Sequence, residues 1–155
     1  METGIFAAGC FWKPDLEFEE LKGVKKTEVG YCGGNSADTT YENVCSGTTN
    51  HAEVVKVFFD EGIISFEELV KFFLKIHNPT TLNRQGPDFG TQYRSSIFVL
   101  DEFQKISAQN KINILNQQKF NGCIVTAIEE AKEFWLAEEY HQKYIRKKKQ
   151  SGIFG

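Results

Sequence analysis

The sequence predicts an α+β fold, a two-layer α/β sandwich with a mixed sheet, in a single domain over 1–155. Three observations predict it. Short β-branched or apolar runs interleave with capped, helix-like stretches. No Pro/Gly-rich linker, internal repeat or low-complexity segment divides the chain. The 155 residues, 41% hydrophobic and 25% charged, suit one globular domain with its own core. The short strands are separated by several loops, so a doubly wound parallel sheet is not required.

Taken in order, Ile5 to Ala8 reads as a short buried strand. Pro14 suits the first turn of a helix that Leu16, Phe18 and Leu21 continue as far as Gly23. Thr27 to Tyr31 is a strand stopped by Gly33-Gly34, and Val54 to Phe59 is another. Ser65-Phe66-Glu67-Glu68 is a capping box opening a helix with Leu69, Phe72, Phe73 and Ile76 on one face. Asn78-Pro79 ends it. Thr80 to Arg94 is polar and glycine-punctuated, a long loop of the kind that carries function. Ser96 to Leu100 is a strand, and Asp101 caps a helix carrying Phe103, Ile106 and Ile114. Cys123 to Ile128 reads as a strand and Glu138 to Lys149 as a last helix, its basic run Arg146 to Lys149 complementing the helix dipole.

Charge and cysteine usage narrow the function. A net charge of -3 argues against nucleic acid as the main partner. No apolar run is long enough to span a bilayer, and Met1-Glu2-Thr3 is not the start of a secretory signal, so a cytoplasmic protein is expected. The four cysteines are Cys10, Cys32, Cys45 and Cys123. Their spacing writes neither a zinc site nor a redox pair, so no metal or other cofactor is expected. Most buried cysteines are inert.

Cys10 differs in its place. It sits in Gly9-Cys10-Phe11-Trp12, between a strand and a helix start. Helix N–H groups there stabilise a thiolate and lower its pKa. Phe11 and Trp12 set an aromatic wall beside it, though the same four residues would also suit a packed core cluster. Glu53, in His51-Ala52-Glu53, immediately precedes an apolar strand. Burial at that point would raise its pKa and make it a proton donor near neutrality. An isolated Glu there is more often exposed, and His51 reads as a hydrogen-bonded structural residue. The loop Asn83 to Arg94 is placed to lie over a pocket and supply Asp88 and Tyr93. Tyr41 alone reads as packing.

Together these segments resemble the type A peptide methionine sulfoxide reductases. Gly9-Cys10-Phe11-Trp12 looks like the nucleophile motif and Gly30-Tyr31-Cys32-Gly33-Gly34 like the glycine-rich strand end. Tyr41 to Gly47 with His51-Ala52-Glu53, Leu82 to Ser95, and Phe134 with Ala137-Glu138-Glu139-Tyr140-His141-Gln142 match three further blocks in order. The resemblance runs from about Ile5 to Tyr144, nearly the whole chain.

The resemblance implies reduction of the S epimer of methionine sulfoxide, free or in oxidised proteins. It places the nucleophile on Cys10, the acid on Glu53 and the oxygen-binding phenols on Tyr41 and Tyr93. The methyl pocket falls on Phe11 and Trp12, and Asp88 on a supporting position. Attack leaves a sulfenic acid on Cys10 that a second thiol must reduce. Many relatives use a resolving cysteine in a C-terminal tail, whereas this chain carries no Cys after Cys123. Cys32 stands where the family usually has Ala or Ser, so it is the candidate resolving residue. An external thiol is the rival, with thioredoxin or another thiol reductant as the partner. Cys45 and Cys123 are expected to pack. A monomer is expected. The alternatives are a thiol peroxidase, disfavoured by the Phe-Trp pair, and a non-catalytic binder of methionine or oxidised peptides.

Overall fold

The apolar run at Ile5–Ala8 becomes an inner strand because both of its faces are covered. The computed structural model describes residues 2–34, 40–47 and 49–150. In it, β1 (Glu2–Ala8) lies between β3 (Ala52–Phe59) and β6 (Ser95–Val99). The six-stranded sheet runs β7-β6-β1-β3-β2-β8, with β2 at Val24–Cys32, β7 at Ala127–Glu130 and β8 at Trp135–Leu136. Only the β6–β7 pair is parallel, so the sheet is mixed.

Side-chain alternation divides this sheet into two unequal faces. Phe6, Val29, Tyr31, Val55, Val57 and Ile97 face the helices in the larger core. Ile5, Ala7, Cys32, Ala52, Val54 and Phe98 form a smaller core on the other face, where Ala131 and Phe134 pack over them. Gly30 belongs to that crossing. A Cβ there would stand 2.4 Å from the Trp135 carbonyl oxygen and 2.6 Å from the Phe134 ring.

Three helices carry the larger core: α1 (Trp12–Glu19), α3 (Phe66–Lys75) and α4 (Glu102–Gln118). The capping box of α3 forms as written: Ser65 accepts from the Glu68 N–H, and Glu68 reaches back. Its buried side is Phe66, Leu69, Val70, Phe73 and Leu74. Phe72 and Ile76 are only half-buried and pack at its edge. The cap of α4 also forms, with Asp101 accepting from the Gln104 N–H at 2.8 Å. The face it buries is not the expected one. Phe103, Ile106 and Ile114 are exposed, while Gln104, Ser107, Ala108, Ile112 and Leu115 are buried. Gln104 decides this rotation, because its amide donates to the Thr3 carbonyl at 2.7 Å and accepts from the Leu100 N–H at 3.0 Å. Turning the helix outward would leave those buried polar groups unpaired.

The C-terminal third differs from expectation in detail. The strand expected at Cys123–Ile128 starts only at Ala127. Before it the chain crosses from α4, and Val125 donates to the Pro79 carbonyl. The two-residue β8 is too short to leave a periodic signal. The last helix is broken into a 3-10 turn at Glu139–His141 and α5 (Tyr144–Gln150), with Lys143 at φ 57° between them. Arg146 and Lys147 of the basic run pair with Glu19 and Glu139. The Lys149 side chain lies outside the described residues. Among the described residues no helix is long and apolar enough to cross a membrane.

Candidate active site

Two parallel strand ends and one strand start build the site. β1 and β2 both run antiparallel to β3, so their C-terminal ends meet the start of β3 at one edge of the fold. Beyond β1 the chain turns through Gly9 at φ 86°, a conformation that favours glycine. A Cβ on Gly9 would also strike the Gln85 side chain at 2.7 Å, so the loop above lies directly on this turn. Cys10 follows, then Phe11 and the first turn of α1. The Trp12 backbone N–H lies within hydrogen-bonding reach of the Cys10 thiol, where the N-terminal end of α1 was expected to favour a thiolate.

That effect does not win. Burial, with the charge of Glu53 next, pushes the Cys10 pKa up to about 12, against the smaller lowering from the Trp12 N–H. The expected low-pKa thiol is therefore corrected: a single N–H does not offset desolvation beside a carboxyl.

Glu53 explains the balance. It is fully buried at the start of β3, opposite Tyr31, on the helix-facing side. One oxygen accepts the Phe11 N–H at 3.2 Å, which ties it to the Cys10 turn. The other oxygen, Oε2, is buried with no hydrogen-bond partner among the described residues. Burial above all, with Asp88 adding repulsion, raises its pKa to about 8. At neutral pH the carboxyl therefore holds its proton, within hydrogen-bonding reach of the Cys10 thiol. Protonated Glu53 also removes much of the charge that opposes a thiolate on Cys10.

The aromatic wall is assembled from several elements. Phe11 is buried against Tyr31, Tyr41 and His141, and Trp12 stacks on Tyr144 with centroids 3.9 Å apart. Tyr41 opens the short helix α2 (Tyr41–Cys45), capped by Thr40, and its ring lies 6.2 Å from Trp12. Tyr93 comes from the long loop. That loop folds into a hairpin, β4 (Arg84–Gln85) with β5 (Asp88–Phe89), followed by a 3-10 turn at Thr91–Tyr93. Burial first, then the neighbouring Cys45 and Glu53, holds the Tyr41 and Tyr93 phenols well above the ordinary range. Both are neutral O–H donors. Asp88 is close enough to act on Cys10, Glu53, Cys45 and Tyr93 through its charge.

The structure thus gathers Cys10, Glu53, Tyr41, Tyr93, Phe11, Trp12 and Asp88 at one place. It does not bring Cys32 there. Cys32 is fully buried on the other face of the sheet, paired with Ala52, its thiol toward the Lys132 carbonyl at 3.8 Å. The sheet itself stands between the two thiols, so the resolving role expected of Cys32 has no geometric support. Cys45 corrects the sequence reading in the opposite sense. Its thiol meets the hydroxyls of both Tyr41 and Tyr93, and its charge reaches Cys10. Cys123, expected to pack, is exposed.

Sequence reasoning also missed Gln92 and assigned no role to Glu138 or His141. Gln92 is buried under the loop and donates to the Cys45 carbonyl at 3.1 Å, fixing Tyr93 relative to α2. Glu138 accepts from the Tyr31 hydroxyl at 2.9 Å and from the Tyr41 N–H at 3.0 Å. Only the Ala137–Gln142 block carried a signal for the last two, and it came from resemblance. His51 is a structural residue, accepting from the Gly34 N–H at 3.0 Å. A separate cavity of about 260 Å³ between α3 and α4 is lined by Lys71, Leu74, His77, Leu115 and Phe120 among others, none of them a residue of this site.

Comparison with known proteins decides between the readings that this geometry leaves. A family model described as peptide methionine sulfoxide reductase matches residues 2–154. The chain belongs to the peptide methionine sulfoxide reductase family. It is 54% identical to the reductase MsrA of Pelagibacter ubique, over 96% of this chain and 100% of that protein. It is 48% identical to the MsrA of Methanothermobacter thermautotrophicus, over 94% and 87%. Among solved structures, reduced Mxr1 from Saccharomyces cerevisiae is similar with a TM-score of 0.91 and 36% identity, covering 96% of this chain and 86% of that one. The methionine sulfoxide reductase A of Corynebacterium diphtheriae gives 0.88 and 36%, covering 94% and 74%. This reductase is an oxidoreductase that reduces methionine sulfoxide with thiols. The peroxidase and binding-module alternatives are not favoured.

Proposed function

We propose that this protein reduces the S epimer of methionine sulfoxide, free or in oxidised proteins, with Cys10 as nucleophile and Glu53 as acid. The observation that carries the proposal is the buried, unpartnered Oε2 of a carboxyl that keeps its proton up to about pH 8, beside a thiol. A substrate sulfoxide oxygen supplies the missing acceptor. Phe11 and Trp12 hold the methyl group, and Tyr41 and Tyr93 donate to the same oxygen without adding charge. Asp88 supports the loop side of the site. With the methyl and the oxygen both placed, only one epimer presents its sulfur to Cys10.

As the Cys10 sulfur attacks, Glu53 protonates the departing oxygen, and the thiol proton returns to the carboxylate. The hydroxyl then passes from the methionine sulfur to the Cys10 sulfur as the transient S–S bond breaks, giving methionine and a sulfenic acid; the methionine sulfur gains two electrons and Cys10 loses two. An external thiol then attacks the sulfenic acid, releasing water, and a second thiol restores Cys10 as the external pair becomes a disulfide. Thioredoxin is the reductant we assign, and yeast Mxr1 is also solved in complex with Trx2. We place the reaction in the cytoplasm, where four free cysteines stay reduced, and assign it to a monomer.

A second reading routes the sulfenic acid to Cys45, favoured by its contacts with Tyr41 and Tyr93. Thiol titration after a single turnover separates the two: loss of two thiols supports Cys45, loss of one the external route. The main test gives each epimer of a methionine sulfoxide peptide to the protein with dithiothreitol, beside Cys10→Ser. Reduction of the S epimer alone, absent in the variant, is expected. Activity in the variant would remove Cys10 from the mechanism.

A further inference from the structure

The Ala137–Gln142 block contributes no group to the proposed chemistry, yet Ala137, Glu138, His141 and Gln142 bind it to the sheet and to α1. Glu138 holds Tyr31 and Tyr41. Gln142 accepts from the Val29 N–H and donates to the Val29 carbonyl, both at 3.0 Å, as an added strand would. The next residue, Lys143, pairs with the buried Asp15 of α1 at 3.4 Å and donates to Thr27. His141 sits inside this frame, 1% exposed, with its ring against Phe11, Tyr41 and Tyr140.

One atom of His141 faces the substrate wall. Its Nδ1 accepts the indole N–H of Trp12 at 2.9 Å. An accepting Nδ1 places the ring proton on Nε2, which is buried with no partner among the described residues. Burial lowers the His141 pKa, which keeps the ring in the neutral form that can accept. An indole swings about two single bonds. Trp12 is half-buried, and its stacking on Tyr144 and beside Tyr41 is not directional at the ring edge. The hydrogen bond at its edge removes that freedom.

We propose that His141 is a positioning residue that locks the Trp12 indole and thereby sets how large an alkyl group the sulfoxide may carry. The proposal rests on the reading of Phe11 and Trp12 as the methyl pocket. Apolar pockets discriminate one methylene only when their walls do not yield, and then by about 10–200-fold. Locking the indole acts on binding of the alkyl group rather than on proton transfer, so its loss appears in KM more than in kcat.

The experiment compares the S sulfoxides of N-acetylmethionine amide and N-acetylethionine amide in the wild type and in single and double variants. His141→Phe keeps the packing and removes the acceptor. His141→Asn keeps an acceptor oxygen near the Nδ1 position. We expect His141→Phe to raise KM for the methyl substrate and to lower the methyl-over-ethyl preference in kcat/KM by about tenfold. His141→Asn should restore most of that preference, and His141→Phe should add nothing in a Trp12→Phe background, which lacks the donor. If His141→Phe does not fold, His141→Gln, whose oxygen falls at the Nε2 position, replaces it with the same expectation. An unchanged preference in the His141 variants, where Trp12→Phe shifts it, overturns the proposal alone. An unchanged preference in Trp12→Phe overturns the methyl-pocket reading as well.

Discussion

Cys10 and Cys32 end neighbouring parts of one architecture. Cys32 ends β2 and Cys10 follows β1 by the Gly9 turn, so both stand at the same edge of the sheet, near Ala52 and Glu53. Their surroundings are nevertheless opposed. Cys10 lies on the helix side with Glu53, Phe11 and Trp12. Cys32 lies on the far side among Ile5, Ala52, Val54 and Phe98, with no exposure. The pleat sets the side of Cys32, and the Gly9 turn delivers Cys10 to the helix side beside Glu53. Side chains alternate with a period of two, so residues adjacent along a strand end are separated across the sheet. Nearness to a strand end is therefore no guide to which thiols can meet.

The largest expected effect tests the helix-side thiol. Cys10→Ser should abolish reduction of the S sulfoxide to background in a dithiothreitol assay, while Cys32→Ser should not. A silent Cys32→Ser with thioredoxin as reductant confirms that the sheet separates the two thiols, whereas a large loss of turnover breaks the comparison.

Next in size is Glu53→Gln, expected to lower kcat by about 10²–10³ with little change in KM. In the wild type the rate should fall as pH rises through about 8, because the donor loses its proton there. In the variant that limb should vanish. Stability gives an independent check with a defined sign. Folded Glu53 binds its proton up to about pH 8, while the unfolded residue releases it near 4.5, so its burial costs stability increasingly as pH rises between those values. Glu53→Gln should accordingly raise stability at pH 8 by on the order of 1–3 kcal/mol and leave it nearly unchanged at pH 4, as thermal unfolding would read.

Smaller effects are expected at the phenols. Tyr41→Phe and Tyr93→Phe should each lower kcat by about tenfold, and the double variant by more than either, since both hydroxyls address one oxygen. No loss in the double variant would remove the phenols from the mechanism. The smallest expected effect lies on the far face. Cys32→Ser should cost about 1 kcal/mol of stability, for a hydroxyl with a single carbonyl acceptor in an apolar pocket. Native Cys32 should resist alkylation that readily modifies the exposed Cys123.

Much of this protein was legible in its sequence because the signals were local. The Ser65 and Asp101 caps, the Gly9 turn and the apolar strand at Val54–Phe59 each depend on residues within a few positions of one another. The apolar start of β3 was enough to suggest that Glu53 would be buried with a raised pKa. The pairing of Cys10 with aromatic neighbours was also local. Helix α4 shows where such reading stops. Two apolar stripes coexist on it, and Gln104, bonded to Thr3 across the sheet edge, chose which one faced inward.

The remaining decisions were long-range. Whether the Cys10 pKa falls or rises depends on Glu53 and on burial, and neither is a property of the Gly-Cys-Phe-Trp stretch. Which cysteine shares the site is set by strand parity for Cys32 and by the seating of α2 against the loop for Cys45. The acceptor for the Trp12 indole lies 129 residues away. By itself the sequence determined the local elements, because hydrophobic period and caps act over a few residues, and it named Cys10 and Glu53 as candidates. Only the tertiary structure decided which groups meet and which are desolvated, because burial and charge act through space and not along the chain.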